Sequence, residues 1–338
     1  MSINKDKLNV LVLRANSLDR SIEELKKNTH VPVEWTIVDF MDKKLIADVL
    51  PHQDVLVSTS LDHSFKNESK NLKGIFMPGA GWEKVSPEAV PDGCLVTNSY
   101  EHEIGIAEYV IMSMIALDRN LINVHNNFSK NKWDYWPQRS GPSKELHGRT
   151  VGVLGLGRIG RKVLEMTKVF GMKNYGIEVN PIDQSIIEDL SLVDLVKPKD
   201  IISVLPILDF FIICVPFIKS TEGLITKNEL SLMKKDSFII NPARGPIVNQ
   251  KDLFESLKTN QISGAALDTW YTYPKTKDEN PNPSDFPFNE LNNVILTPHV
   301  CGSTFGTFDR RMKVVAQNIN NFFEGKNPIN RVQELSKD

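Results

Sequence analysis

Gly155-Leu156-Gly157-Arg158-Ile159-Gly160 follows the apolar run Thr150-Val151-Gly152-Val153-Leu154 and opens a helical pattern with Ile159, Val163, Leu164 and Met166 at its apolar positions. Few folds place three glycines at this spacing between a strand and a helix. The first glycine permits a tight turn, the second lets backbone N–H groups approach a pyrophosphate, and the third allows the helix to pack closely on the strand. The helix start adds partial positive charge. Glu178 comes eighteen residues after Gly160, at the end of the next predicted strand, where a carboxylate can accept hydrogen bonds from adenosine ribose hydroxyls. The same charge repels a 2′-phosphate, and Val179-Asn180-Pro181-Ile182 holds no arginine to attract one. The pattern therefore points to NAD rather than NADP.

Around this turn the chain alternates short apolar runs with helical stretches, the rhythm of a parallel α/β sheet. In the first hundred residues the runs are Leu8 to Leu13, Val33 to Val38 and Asp54 to Val57. A second series begins at Thr150 and continues through Asn174 to Val179, Phe210 to Val215, Phe238 to Asn241, Ala265 to Asp268 and Val294 to Thr297, six predicted strands. One long helix is expected from Ile104 to about Ile122, and a loop or arm between Asn126 and Lys144, where Trp133, Tyr135, Trp136 and Pro137 break both periods. The last helix, about Thr307 to Phe323, has no strand after it, so the chain can return to the first unit. The expected architecture is a substrate domain from residues 1–103 and 303–338 interrupted by a dinucleotide-binding Rossmann domain at 104–302.

Composition narrows the function. A net charge of -2, with basic residues scattered, gives no reason to expect a nucleic-acid partner. No stretch approaches the roughly 20 apolar residues that span a bilayer. The start, Met1-Ser2-Ile3-Asn4-Lys5-Asp6-Lys7, lacks a signal-peptide apolar region, so a cytoplasmic location is expected. Cys94, Cys214 and Cys301 lie far apart without C-x-x-C spacing, which suggests neither a disulfide frame nor a metal site.

Beyond the glycine turn come Pro78-Gly79-Ala80-Gly81, Ile106-Ala107-Glu108, Glu145-Leu146-His147-Gly148-Arg149-Thr150, Val215-Pro216, Asn241-Pro242-Ala243-Arg244-Gly245, Gly264-Ala265-Ala266-Leu267-Asp268 and Thr297-Pro298-His299. In this order they resemble the D-2-hydroxyacid dehydrogenase family over nearly the whole chain. The resemblance implies a flavodoxin-like substrate domain, a Rossmann domain, an active site in the cleft, homodimers and a small 2-hydroxy or 2-oxo acid as substrate. It implies that Arg244 binds the substrate carboxylate and the 2-oxo oxygen through its planar fork. His299 becomes the general acid and base. Backbone N–H groups of Gly79, Ala80 and Gly81 would carry the substrate carboxylate, and Asp268 would accept from the nicotinamide carboxamide. Val215, Pro216 and Thr221, with Arg158, Ile159, Pro242 and Ala243, would line the dinucleotide cleft.

Two departures qualify the match. Most of the family has a glutamate, hydrogen-bonded to the catalytic histidine, five residues after the position of Asp268; here that residue is Tyr273. A phenol can orient an imidazole through its hydroxyl but brings no charge at neutral pH. The segment from Trp270 to Glu279 is longer than usual, so Asp278 or Glu279 offers a substitute carboxylate. His102 stands where formate dehydrogenases carry asparagine, which argues against formate and offers a second contact to substrate. Trp133 and Trp136 are expected to anchor a partner subunit. A different class of function, an NAD-sensing regulatory or co-repressor-like protein of the same fold, fits the missing glutamate but leaves Arg244 and His299 without a purpose.

Overall fold

The computed structural model describes residues 6–14, 19–275 and 278–335. The first residues of the expected cytoplasmic start and two residues of the long 270–279 segment, Thr276 and Lys277, lie outside this range. The chain forms two units, residues 1–101 with 304–338, and residues 102–303. The crossings thus fall two residues before the expected 103/104 boundary and one residue after the expected 302/303 boundary.

The first unit holds β1 (Leu8–Arg14), α1 (Asp19–Asn28), β2 (Val33–Asp39), α2 (Lys43–Val49), β3 (Val55–Val57), β4 (Gly74–Phe76) and β5 (Leu95–Thr97). The five strands are parallel in the order β2-β1-β3-β4-β5, the flavodoxin-like arrangement. Side chains alternate across the sheet. Leu11, Leu56 and Ile75 join one apolar layer, while Val10, Val12, Val55, Val57 and Phe76 join the other.

The second unit opens with α3 (Glu103–Asp118), α4 (Leu121–Phe128) and the short α5 (Pro137–Ser140). The single helix expected to about Ile122 is therefore two. Asn120 adopts a left-handed conformation (φ 49°), which ends α3, and its carboxamide oxygen accepts from Asn123 Nδ2 at 2.7 Å in the new helix. The stretch expected as a loop holds the end of α4 and the one turn of α5. Then follow β6 (Thr150–Leu154), α6 (Arg158–Val169), β7 (Lys173–Ile177), α7 (Gln184–Asp189), β8 (Leu192–Val196), β9 (Phe210–Ile213), α8 (Lys227–Leu232), β10 (Phe238–Asn241), α9 (Gln250–Lys258), β11 (Gly264–Leu267) and β12 (Val294–Leu296). The parallel sheet runs β12-β11-β10-β9-β6-β7-β8, a Rossmann order with one further strand. Among the described residues it has seven strands, not six. β4 and β5 of the first unit, each three residues long, and β8 here were not among the expected strands; β8 is an edge strand that exposes Val193 and Asp194 and pairs through an irregular register, so no clean apolar run announces it.

Arg149 fixes the N-terminal edge of this sheet: its guanidinium pairs with Asp118 at the end of α3 and reaches Asp209 at 3.3 Å. Although burial works to raise the Asp209 carboxyl, donors on Lys234, Thr150 and Arg149 hold it far below the usual carboxylate range.

The chain returns to the first unit with α10 (Phe305–Phe323), which starts two residues earlier than expected, packs on α1 and sets Phe322 edge-on to Phe76 at 5.7 Å. No described helix is long and apolar enough to cross a membrane.

Candidate functional site

The glycine turn emerges from the C-terminal end of β6. Gly155 has φ +96°, and a Cβ there would lie 2.8 Å from Val215 Cγ1 and 2.9 Å from the Cys214 carbonyl. A Cβ at Gly160 would overlap the Gly155 carbonyl oxygen. A Cβ at Gly157 would meet nothing within 4 Å. The fold thus uses the first and third glycines and leaves clear space at the middle one, the N-cap of α6. A helix start offers its first N–H groups to an anion, so this turn fits the pyrophosphate of a dinucleotide.

Glu178 lies at the end of β7, and one carboxylate oxygen accepts the Leu156 N–H at 2.7 Å while the other accepts the Asn180 N–H at 2.9 Å. It braces the glycine turn, and a carboxylate with about four acceptor positions keeps capacity for a ribose hydroxyl. The neighbouring Val179 carbonyl accepts from Lys197 Nζ at 2.8 Å, a cation from the β8 edge that the sequence reading did not include. Val215 packs against the turn. Thr221 Oγ1 donates to the Pro216 carbonyl at 2.7 Å and accepts the Ile218 N–H at 2.9 Å, shaping the loop after β9. Arg158 is exposed at the first position of α6, and Ile159 packs into the core.

A second group of side chains collects beyond β10, β11 and β12. Asn241 organises the Pro242-Ala243-Arg244 turn by accepting the Ala243 N–H at 3.0 Å and donating Nδ2 to the Arg244 carbonyl at 2.9 Å. Gly245 passes so close to Trp270 that a Cβ would lie 2.7 Å from the Trp270 carbonyl. Arg244 is exposed, with one guanidinium N–H on the Ala243 carbonyl at 2.7 Å. Arg244 precedes the Gly245 that abuts Trp270, whose N–H binds the Tyr273 oxygen, and burial raises the Tyr273 phenol above its ordinary range against the Trp270 N–H and the positive charge of Arg244.

The rings of Tyr273 and His299 meet at 5.6 Å between centroids, tilted by 55°. The Tyr273 oxygen accepts the Trp270 N–H at 3.1 Å, which leaves its own proton to donate. Glu279, offered as a substitute carboxylate, accepts the Lys275 N–H at 2.7 Å and closes its own loop.

Asp268 is fully buried at the end of β11. It accepts from Thr297 Oγ1 at 2.6 Å, Val300 N at 2.8 Å and Cys301 N at 3.0 Å, so its acceptor bonds grip the segment around His299. These bonds leave about one of its four acceptor positions for a carboxamide. Thr297 and Tyr109, which donates from α3, belong to this network although the sequence reading assigned them no role. Their apolar or β-branched surroundings give no polar spacing that would single them out. His102 caps the start of α3, and its Cβ lies 3.5 Å from where a Cβ of Gly302 would be, beside the loop that follows His299.

Gly79, Ala80 and Gly81 belong to the first unit, in the loop after β4. The Gly79 carbonyl accepts from Ser99 N at 3.0 Å and the Ala80 carbonyl from Asn98 Nδ2 at 2.8 Å, so carbonyls anchor the turn. Among the described residues no group of three His, Cys, Asp or Glu could hold a metal. Cys94 and Cys301 are buried free thiols and Cys214 is half-buried and free.

Residues 111–301 match the family model described as D-isomer specific 2-hydroxyacid dehydrogenase, NAD binding domain. The D-3-phosphoglycerate dehydrogenase of Methanocaldococcus jannaschii is 32% identical over 298 residues, covering 87% of this chain and 54% of that protein. The chain thus spans about half the length of that relative. The glyoxylate reductase of Thermofilum pendens is 30% identical over 285 residues, covering 81% of this chain and 78% of the reductase. Among solved structures, the holo D-mandelate dehydrogenase of Rhodotorula graminis superposes with a TM-score of 0.78 at 19% identity, over 97% of this chain and 98% of that one. This last likeness speaks for the fold.

Proposed function

Because the chain belongs to the D-isomer specific 2-hydroxyacid dehydrogenase family, we propose that it interconverts a small D-2-hydroxy acid and its 2-oxo acid with NAD. The observation that carries this reading is the convergence, within one unit, of Arg244, Tyr273 and His299 beyond the C-terminal strand ends of a sheet that also presents the glycine turn. Bound NADH supplies the hydride for reduction. Arg244 binds the carboxylate and the 2-oxo oxygen of the substrate, and its fixed charge stabilises the negative charge that develops on that oxygen. His299 gives the proton that turns the oxygen into a hydroxyl, and takes it back in oxidation. Tyr273 positions the imidazole from beside it and contributes no anion. N–H groups of Gly79, Ala80 and Gly81 receive the substrate carboxylate, and Asp268 accepts from the carboxamide of the cofactor.

We assign the oligomer to a face of the second unit. α3 is apolar nearly all round, yet Met112 and Ile115 on it are exposed, as are Leu121, Ile122 and Phe128 on α4 and Trp133 and Trp136 in the arm. Trp133 stacks edge-on with both Phe128, at 5.1 Å, and Trp136, at 6.3 Å. A prearranged aromatic cluster of this kind is suited to a second copy of the chain.

The direct test is NADH oxidation across glyoxylate, hydroxypyruvate, pyruvate and branched, aromatic, phosphono- and sulfo-substituted oxo acids, repeated with NADPH and with Arg244→Lys. Turnover with at least one acid, a preference for NADH of about tenfold or more, and loss of turnover in Arg244→Lys are expected. Silence across the whole panel would overturn the assignment and leave the regulatory reading.

A further inference from the structure

His299 adopts a left-handed backbone conformation (φ 60°). A residue other than glycine holds such a conformation only when its surroundings fix both flanks. On the near side, the Thr297 carbonyl accepts from Trp270 Nε1 at 2.9 Å and from the His299 N–H at 3.1 Å. On the far side, the N–H groups of Val300 and Cys301 are held by the two oxygens of Asp268. The Thr297 hydroxyl joins the two flanks, because it reaches the same Asp268 oxygen as the Val300 N–H.

The direction of the remaining bond follows from counting protons. A threonine hydroxyl has one, and a carboxylate accepts only. Since the Thr297 proton goes to Asp268, the 2.7 Å contact between Tyr109 Oη and Thr297 Oγ1 has the tyrosine as donor. Burial pushes the Tyr109 phenol up to about 12, so it keeps the proton it donates throughout the neutral range.

We propose that Tyr109 is a positioning residue that acts through Thr297 and Asp268 to hold His299 in its working orientation; this rests on the acid–base reading of His299. A buried tyrosine hydroxyl needs a partner in any fold. What sets this one apart is that its partner's only proton is committed to the carboxylate that also binds both residues after His299. Loss of the Tyr109 hydroxyl removes the donor that polarises the Thr297 hydroxyl, and the pull on Asp268 weakens.

Tyr109→Phe keeps the ring and removes the donor. It is expected to lower kcat for oxo-acid reduction about tenfold while leaving the KM for NADH within about twofold, the signature of an interaction that matters in the chemical step. The isotope effect with NADH deuterated at the transferred position should rise. Thr297→Val should lose at least as much, the double variant should be no worse than Thr297→Val, and Thr297→Ser, which keeps the hydroxyl, should be near wild type. Turnover and isotope effect unchanged in Tyr109→Phe, or losses that multiply in the double variant, would overturn the proposal. If Thr297→Val does not fold, Tyr109→Phe against Thr297→Ser decides it. His299→Asn separates the two levels: if it retains turnover, the acid–base reading itself fails, whereas an inactive His299→Asn beside an unaltered Tyr109→Phe removes only Tyr109.

Discussion

In the turn after β6, a methyl group on residue 160 would overlap the carbonyl oxygen of Gly155; in the loop after β4, a methyl group on residue 79 would rest 3.4 Å from the Thr59 methyl, an ordinary contact. Both sheets end a strand on a glycine-rich segment, yet only the second unit needs glycine there to close its own fold. Gly157 stands between these cases, inside the demanding turn but with open space around it. A glycine that the surrounding protein does not require points to something that approaches from outside. Gly155 and Gly160 serve the fold, while under the proposed function Gly157 and Gly79 would keep room for ligands.

The contrast can be broken by adding single methyl groups. Gly160→Ala should have the largest effect, a loss of about 3 kcal/mol in folding stability, because the Gly155 backbone it would overlap cannot yield; a melting temperature near wild type would show that the turn has slack. Gly157→Ala should melt like wild type yet raise the KM for NADH by about tenfold or more, as a methyl intrudes where backbone must approach the pyrophosphate. Equal NADH kinetics would place the cofactor elsewhere. Gly79→Ala should spare both stability and NADH binding and raise the KM for the oxo acid by about tenfold. A rise in the NADH constant instead would assign the β4 loop to the cofactor.

The smallest effect is on proton transfer. Tyr273→Glu places an anion against His299 and so raises the pH at which the histidine loses its proton. Since reduction requires the protonated form, the fall in reductive kcat/KM with rising pH should move upward by roughly one unit, about 1.4 kcal/mol of stabilised imidazolium. Superimposable pH profiles for wild type and variant would mean that residue 273 does not govern that proton.

The glycine turn and the strands around it can be read from sequence because each of their signals is local. Asp268, Arg244 and His299 follow from resemblance, since the bonds that tie Asp268 to the residues flanking His299 join positions 29 to 33 apart. What escapes is set by geometry with no spacing rule. Asn120 breaks a helix whose apolar pattern runs on, β8 lacks alternation because it is an edge, and the Tyr273 hydroxyl turns to a backbone N–H three residues back. Tyr109 reads as one more core residue of α3 until Thr297 is seen beside it.

The interruption of the first unit has a consequence for synthesis. β1 to β5 leave the ribosome before the second unit, but the helix that packs on α1 spans Phe305–Phe323, and the edge of β5 pairs with residues as late as Val332, whose N–H donates to the Val96 carbonyl at 2.9 Å, and Arg331, which bridges to Thr97. Asn318, which ties Thr97 to the Ile329 carbonyl, comes equally late. The second unit is continuous and has its whole core by residue 303. Domains fold as units as they emerge, so of these two units the one that starts earlier is finished later. Until α10 arrives, the apolar layer of Val10, Val12, Val57 and Phe76 lacks the cover that Met312, Val315, Ile319 and Phe322 give it. A nascent chain stalled between residues 303 and 335 would expose that layer to chaperones and proteases while the nucleotide-binding unit is already closed.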